Sequence, residues 1–148
     1  MRASPLSVSL LPWNEHDASV FTPPVPAAAA WAISNTLHSA TPLTAAAGEL
    51  AAWPDSLSRS LLEVDPILIL KLGPAGMRRH ADWPRHWAAA AAEIAAKGKQ
   101  LAAVAYADYR AASAPSPAEI VEQAIAASAP YFLIDTWNKR GGRLLDHL

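Results

Sequence analysis

Short, nearly continuous apolar runs recur along the chain from about residue 41, and more polar segments separate them. The runs are TPLTAAAGEL (41–50), PILILKLG (66–73), LAAVAYAD (101–108) and YFLID (131–135). Apolar runs of this length are typical of parallel β-strands that are buried on both faces. The pattern therefore predicts four parallel strands.

The longest intervening segment has the start and stop signals of a helix. Asp82 is placed to cap a helix that has Pro84 in its first turn and ends at Gly98. One face of this helix is apolar and consists of Trp83, Trp87, Ala91 and Ile94. We expect both tryptophans to lie in the core.

A second helix is marked by the capping box Ser116-Pro117-Ala118-Glu119, which has proline at the first helical position. Its predicted apolar stripe consists of Ile120, Val121, Ala124 and Ile125. Weaker helical segments are predicted at 26–34 and 56–63. Strand starts are roughly 30 residues apart, the size of a βαβ unit, so the sequence predicts an α/β protein.

The two ends of the chain fit this order poorly. Residues 1–25 contain no helical stripe, and we treat them as a divergent or irregular N-terminal segment that precedes a domain at 26–148. The chain stops in RLLDHL, where we expect a further helix to begin. A sheet that ended there would have exposed edges, so we expect the domain to be incomplete.

Composition and charge exclude several classes of protein. The net charge is −1, so no overall field draws the chain to nucleic acid or to an anionic membrane. No charged residue lies between Asp17 and Glu49, but prolines and polar residues interrupt this stretch, and we predict no membrane helix. The absence of cysteine excludes disulfides and fits a cytoplasmic protein. The five histidines lack metal-ligand spacing, so we predict neither a metal nor a cofactor.

Ionisable residues follow the predicted strands at their carboxyl ends, where parallel α/β proteins bind ligands. These residues are Glu49, Lys71, Asp108 and Asp135, with Lys139 in the loop after the last strand. Lys71 interrupts an apolar run, and desolvation of an amine there lowers its pKa. The alternative for any one of these residues is a salt bridge at the edge of the sheet. Four ionisable residues at the same end of four consecutive strands favour a polar active site.

A basic group follows the last predicted strand. Lys139-Arg140-Gly141-Gly142-Arg143 is a candidate phosphate cradle, because its glycines free backbone N–H groups to face an anion, and a solvated loop is the alternative. Asp135 and Lys139 have the i,i+4 spacing of an ion pair. The alternative is that this pair only stabilises the structure. Lys97 and Lys99 lie near the opposite end of the strands, and we expect both to be solvated.

Several of these segments resemble the (5-formylfuran-3-yl)methyl phosphate synthases, also called 4-(hydroxymethyl)-2-furancarboxaldehyde-phosphate synthases. The similar segments are TAAAGEL (44–50), LKLGPAG (70–76), VAYADYRAASAPSPAEI (104–120) and LIDTWNKRGGRLLDHL (133–148). The most specific pattern is D-T-x-x-K-x-G-x-x-L-x-D, from Asp135 to Asp146. The resemblance implies a (β/α)8 TIM barrel, of which 26–148 is a partial barrel domain with about four to five consecutive parallel βα units.

The resemblance also implies an activity. Synthases of this family are lyases that condense two molecules of glyceraldehyde 3-phosphate to the furan aldehyde phosphate from which methanofuran-type carriers are built. One lysine forms a Schiff base and a second transfers protons. Lys71 matches the proton-transferring lysine, and Asp135 and Lys139 match the other active-site pair. We add Asp108 as a catalytic candidate, and Glu49 and Arg143 as substrate-binding candidates.

One motif of the family has no counterpart in this sequence. The family carries its Schiff-base lysine in an Asp-Val-Lys-x-Pro motif on the strand before 41–50, whereas no lysine precedes Lys71 here. The last barrel strands and their phosphate-binding glycine loop are also missing. We therefore expect a truncated, frameshifted or decayed copy whose activity is impaired.

Two other hypotheses remain open at the level of sequence. One is a non-catalytic barrel remnant that acts as an interaction subunit, and the other is a different phosphosugar aldolase on the same fold. An unclosed sheet would leave inner-face side chains such as Ile67, Ile69 and Leu101 poorly covered. We therefore expect the isolated chain to be poorly soluble or to form homo-oligomers.

Overall fold

The computed structural model describes residues 43–65, 67–141 and 144–147, so segment 1–25 and the predicted helix at 26–34 lie outside the described residues. The strands are β1 (Leu43–Glu49), β2 (Ile67–Gly73), β3 (Gln100–Tyr106) and β4 (Phe132–Asp135). The helices are α1 (Ser56–Ser60), α2 (Trp83–Ala96) and α3 (Pro117–Ala126). Short 3-10 turns lie at Leu50–Ala52, Leu61–Glu63, Met77–Arg79 and Leu144–Asp146.

The four strands form one parallel sheet in the order β1-β2-β3-β4. The predicted α/β fold, with consecutive parallel βα units, is confirmed at this level. All four carboxyl ends lie along one edge of the sheet, because every pair of neighbours is parallel. Among the described helices, none is long and apolar enough to span a bilayer.

The main hydrophobic core lies on one face of the sheet, between the strands and the helices. Successive side chains of a strand point to opposite faces. On β2, Leu70 and Leu72 are in this core, whereas Lys71 and Gly73 belong to the opposite face. Helix α2 contributes four buried residues to it: Trp83, Trp87, Ala90 and Ile94. The prediction that both tryptophans are core residues is confirmed.

The two main helices begin differently. In α3 the predicted capping box is present, since the Ser116 hydroxyl accepts the Glu119 N–H at 3.3 Å and the Glu119 carboxylate accepts the Ser116 N–H at 2.7 Å. The prediction that Asp82 caps α2 is wrong. Asp82 precedes the helix, but its carboxylate makes no capping hydrogen bond and lies 3.1 Å from His86 instead.

Two further predictions need correction. Lys99 is not solvated but buried, and its ammonium donates to the carbonyl oxygens of Val64 at 2.8 Å and Ile67 at 2.7 Å. The ammonium thus ties the start of β3 to the start of β2. The stripe of α3 is also narrower than predicted, since Val121 is 38% and Ile125 is 73% exposed.

The expected exposure of three apolar strand residues is not found. Ile67, Ile69 and Leu101 are 0%, 6% and 4% exposed. Ile67 and Leu101 are members of the main core, so the helices cover them. Their burial therefore gives no support to the predicted homo-oligomer, which stays a prediction.

Candidate functional site

The strand register gathers ionisable residues on the sheet face that lies opposite the main core. Glu49 pairs with Gly73 at the end of β1 and β2, and Tyr106 pairs with Asp135 at the end of β3 and β4. Lys71 lies two residues before Gly73, on the same face and one row deeper. The residues beside it on β1 and β3 are Ala46 and Ala102, whose small side chains leave space around the lysine.

A β-bulge decides the face on which Glu49 lies. The three steps from Ala46 to Glu49 on β1 oppose only two steps on β2, from Lys71 to Gly73. The extra residue reverses the alternation of side chains. Gly48 allows the bulge because its φ of 92° is a left-handed conformation that favours glycine. The Glu49 side chain therefore shares the face of Lys71 instead of entering the helix-facing core.

Three contacts fix the Glu49 carboxyl group. The Tyr106 phenol donates to its Oε1 at 2.9 Å, and the Ala75 backbone N–H donates to its Oε2 at 3.0 Å. Gly73 lies on β2 directly beneath the Tyr106 and Glu49 side chains. A Cβ at that position would lie 2.1 Å from the Tyr106 hydroxyl and 2.3 Å from Glu49 Oε2, so a larger residue there would displace the pair from its present arrangement.

Burial dominates the electrostatics of the Glu49–Tyr106 pair. Desolvation raises the pKa of Glu49 above its usual range, although the hydrogen bonds from Ala75 and Tyr106 oppose the shift. Burial also raises the pKa of Tyr106, and the nearby charge of Glu49 raises it further. Tyr106 therefore remains a neutral hydrogen-bond donor across the whole physiological range.

Lys71 is half-buried, and burial lowers the pKa of its ammonium group. The charge of Asp135 opposes this shift and that of Lys139 adds to it, so all three groups influence one another. A lysine with a lowered pKa reaches its neutral, basic form more readily than a solvated one. This arrangement suits proton transfer.

Asp135 connects β4 to the basic loop that follows it. Its Oδ1 accepts the Thr136 backbone N–H at 2.8 Å and also contacts the Lys139 ammonium. Both side chains are partly exposed, at 40% for Asp135 and 44% for Lys139. The predicted pair is thus formed, with its amine at the edge of the site.

Asp108 holds the same loop from the neighbouring strand. Its two oxygens accept the backbone N–H groups of Trp137 at 2.7 Å and Asn138 at 2.8 Å. Burial raises the pKa of Asp108, but these hydrogen bonds outweigh it and the net pKa is lowered. Because both oxygens bind backbone, the geometry favours a role in positioning the Lys139 loop over direct proton transfer.

The predicted site residues fall into two groups. Glu49, Lys71 and Asp135 lie on one face of the sheet, and Lys139 contacts Asp135, whereas Asp108 binds the loop. Arg143 lies outside the described residues. In the described parts of the chain no three acidic or histidine side chains are grouped to hold a metal ion.

Sequence reasoning missed Tyr106. It ends an apolar run, where an aromatic residue is most often part of the core. The available clue was its position two residues before Asp108, on a strand whose carboxyl end was already a candidate site edge. With it, the site contains two carboxylates, two lysines and a phenol on a parallel α/β sheet.

Such a site at the carboxyl edge of a parallel sheet defines an α/β protein with the means for acid–base chemistry. The family model described as 4-HFC-P synthase matches residues 24–148, and the chain belongs to this family. The resemblance found in the sequence is confirmed, and the family name identifies a synthase-type enzyme. No curated protein and no solved structure matches the chain.

Proposed function

We propose that the chain carries the proton-transfer part of a lyase site that condenses two molecules of glyceraldehyde 3-phosphate. The product of the complete reaction is the furan aldehyde phosphate of methanofuran-type cofactor biosynthesis. We also propose that the four parallel strands and their connecting helices are part of a (β/α)8 barrel, since their consecutive parallel order is that of a barrel segment.

The observation that carries the proposal is the grouping of Lys71 with Asp135 and Lys139. The lysine is partly desolvated and the carboxylate lies close enough to affect its pKa, so the amine is suited to remove a proton next to a carbonyl. The second amine, on Lys139, contacts that carboxylate from the loop. These are the residues that match the proton-transferring lysine and the active-site pair of the family.

The basic loop and the Glu49 carboxyl group complete the proposed substrate site. Lys139 and Arg143 flank the glycines of the basic loop, and we assign them to the phosphate of the triose. Glu49 faces the substrate from β1. Asp108 keeps the loop in place through Trp137 and Asn138.

The imine-forming amine of the family is the part that this sequence does not supply. Its four lysines are Lys71, Lys97, Lys99 and Lys139. Lys97 pairs with Glu63 and Lys99 is bound to backbone carbonyls, both away from the candidate site. We therefore propose that the 148-residue chain alone binds triose phosphate but does not complete the condensation.

The missing lysine favours one alternative function. A barrel segment without the imine-forming amine suits a non-catalytic subunit that acts by association with another chain. The 73% exposed Ile125 on α3 supports this alternative, because an apolar side chain on an outer helix is available for contact with a partner. Another phosphosugar aldolase activity has no separate structural support.

Binding of the substrate separates these proposals. Isothermal titration calorimetry of the wild-type chain with glyceraldehyde 3-phosphate should show weak but saturable binding. Lys139→Met should weaken this binding about ten-fold. Lys97→Met is the matched control, because Lys97 lies in an exposed ion pair with Glu63, and binding should be unchanged. Equal binding by all three proteins would reject the assignment of Lys139 to the phosphate, and absence of binding by the wild-type chain would favour the subunit hypothesis.

A further inference from the structure

Tyr106 is the largest polar side chain of the site, and none of the proposed steps uses it. It is 8% exposed, and its phenol reaches across β2 from β3 to the Glu49 carboxyl group on β1. Gly73, the residue of β2 between them, is in contact with both groups and has no side chain. Three neighbouring strands thus contribute to one small polar arrangement.

The Glu49 carboxyl is held at both oxygens and still has capacity left. A carboxylate offers about four acceptor positions, and the hydrogen bonds from Tyr106 and Ala75 occupy one on each oxygen. The absence of a side chain at Gly73 lets both groups lie close to β2. Within residues 43–65, 67–141 and 144–147, Tyr106 and Ala75 are the donors to this carboxyl, and we assign the remaining positions to a ligand on the inner face of the sheet.

We propose that Glu49 is a catalytic acid for triose phosphate and that Tyr106 is the positioning residue that holds it over Gly73. The inference rests on the proposed substrate class. Lys71 lies two residues before Gly73 on the same face. Its backbone is therefore about 6.6 Å from that of Gly73, towards the amino end of β2. Because Glu49 is paired with Gly73, the proposed acid and base are on one face of the sheet at successive positions along the strands, and we place the triose carbonyl carbon and its neighbour between them.

The step is an enolisation and needs no further reactant. Neutral Lys71 takes the proton from the carbon next to the carbonyl, and the electron pair of that C–H bond forms a carbon–carbon double bond. The carbonyl oxygen takes the proton of the neutral Glu49 carboxyl. The products are an enediol, an ammonium and a carboxylate, and the reverse step returns a hydrogen from solvent to carbon.

The electrostatics of the site agree with these roles. Burial raises the pKa of Glu49 and lowers the pKa of Lys71, which makes the neutral acid and the neutral base easier to reach together. The other charged or titratable groups that affect this site come from β3 and β4 and the loops after them: Tyr106, Asp108, Asp135 and Lys139.

Deuterium exchange tests the chemical role. The wild-type chain is incubated with glyceraldehyde 3-phosphate in D2O, and incorporation at C2 is followed by NMR. We expect exchange to fall about 100-fold in Glu49→Gln and about ten-fold in Tyr106→Phe. Tyr131→Phe is the matched control and should exchange at the wild-type rate. Exchange that is absent from the wild type, or unaffected by Glu49→Gln, overturns the catalytic role.

Titration tests the positioning role independently of turnover. With ¹³C-labelled glutamate, the Glu49 midpoint should move to higher pH in Tyr106→Phe, because a hydrogen bond that stabilises the carboxylate is lost. It should not move in Tyr131→Phe. If Tyr106→Phe fails to fold, the phenol is titrated in Glu49→Gln, where its pKa should fall. An unchanged midpoint in the variant that folds overturns the positioning role.

These results are separable from the proposed condensation. Exchange that depends on Glu49, without furan formation, agrees with both this inference and the proposal that the chain alone does not complete the condensation. Furan formation together with exchange that depends on Glu49 would contradict only the proposed function, whereas exchange that does not depend on Glu49 would reject only this inference.

Discussion

The Tyr106 phenol donates a 2.9 Å hydrogen bond to the Glu49 carboxyl group across an intervening strand. The contact is possible because the strand between them presents Gly73 at that position. It also depends on the bulge at Gly48, which turns Glu49 to the inner face. One hydrogen bond thus reports whether three strands are correctly aligned at the candidate site.

Replacement of Gly73 should disturb this arrangement directly. In Gly73→Ala the new Cβ would lie 2.1 Å from the Tyr106 hydroxyl, so side chains or backbone must shift. We expect the free energy of unfolding to fall by about 1–3 kcal/mol, as for other overpacked positions. Urea denaturation measures it.

The control is Gly141→Ala, whose Cβ would meet the Asn138 amide at 3.1 Å, a side chain that can move. A smaller loss is expected there. If Gly73→Ala is as stable as the wild type, the close contact between β1, β2 and β3 is wrong.

Lys99 should matter for stability far more than its neighbour Lys97. Lys99→Met removes a buried donor from the carbonyl oxygens of Val64 and Ile67, of which the Val64 oxygen keeps the Ile67 N–H at 3.0 Å, and we expect a loss of about 1–3 kcal/mol. Lys97→Met removes only an exposed ion pair with Glu63 and should change stability by less than about 1 kcal/mol. Denaturation of the two variants side by side is decisive, and equal losses would show that Lys99 is not buried as described.

Asp108 should make stability depend on pH at the acid end. Its folded pKa is lowered, so its contribution is present above the ordinary aspartate pKa of about 3.9 and is lost as pH falls through the folded value. Asp108→Asn should therefore be less stable than the wild type at neutral pH, and the difference should shrink on acidification. Thermal unfolding across pH measures this.

The control for that experiment is Glu122→Gln, a substitution at an exposed position of α3. At neutral pH it should be as stable as the wild type. A constant gap between Asp108→Asn and the wild type at every pH would mean that the carboxylate charge does not hold the loop.

The strands and main helices could be predicted because their signals are local. Apolar runs defined all four strands, and the capping box at Ser116 fixed the start of α3. The grouping of Glu49, Lys71 and Asp135 at one edge followed from parallel strands alone. That rule predicts which end of the sheet a residue occupies, but not which face.

What could not be predicted depends on contacts between distant residues. The face of Glu49 is set by a bulge against β2, and the environment of Tyr106 by a glycine on another strand. Lys99 appeared solvated because it follows a helix end, whereas its partners are more than 30 residues away. Asp82 had the sequence of a cap but pairs with His86 instead.

The central claim is that this chain has the proton-transfer residues of the synthase family without its imine-forming lysine. The direct test is to incubate the 148-residue chain with glyceraldehyde 3-phosphate, add borohydride, and analyse protein and product by mass spectrometry. We predict no borohydride-trapped lysine and no furan aldehyde phosphate. A trapped adduct on Lys71 or Lys139 together with furan formation would contradict the claim and show that the imine chemistry uses a different lysine in this protein.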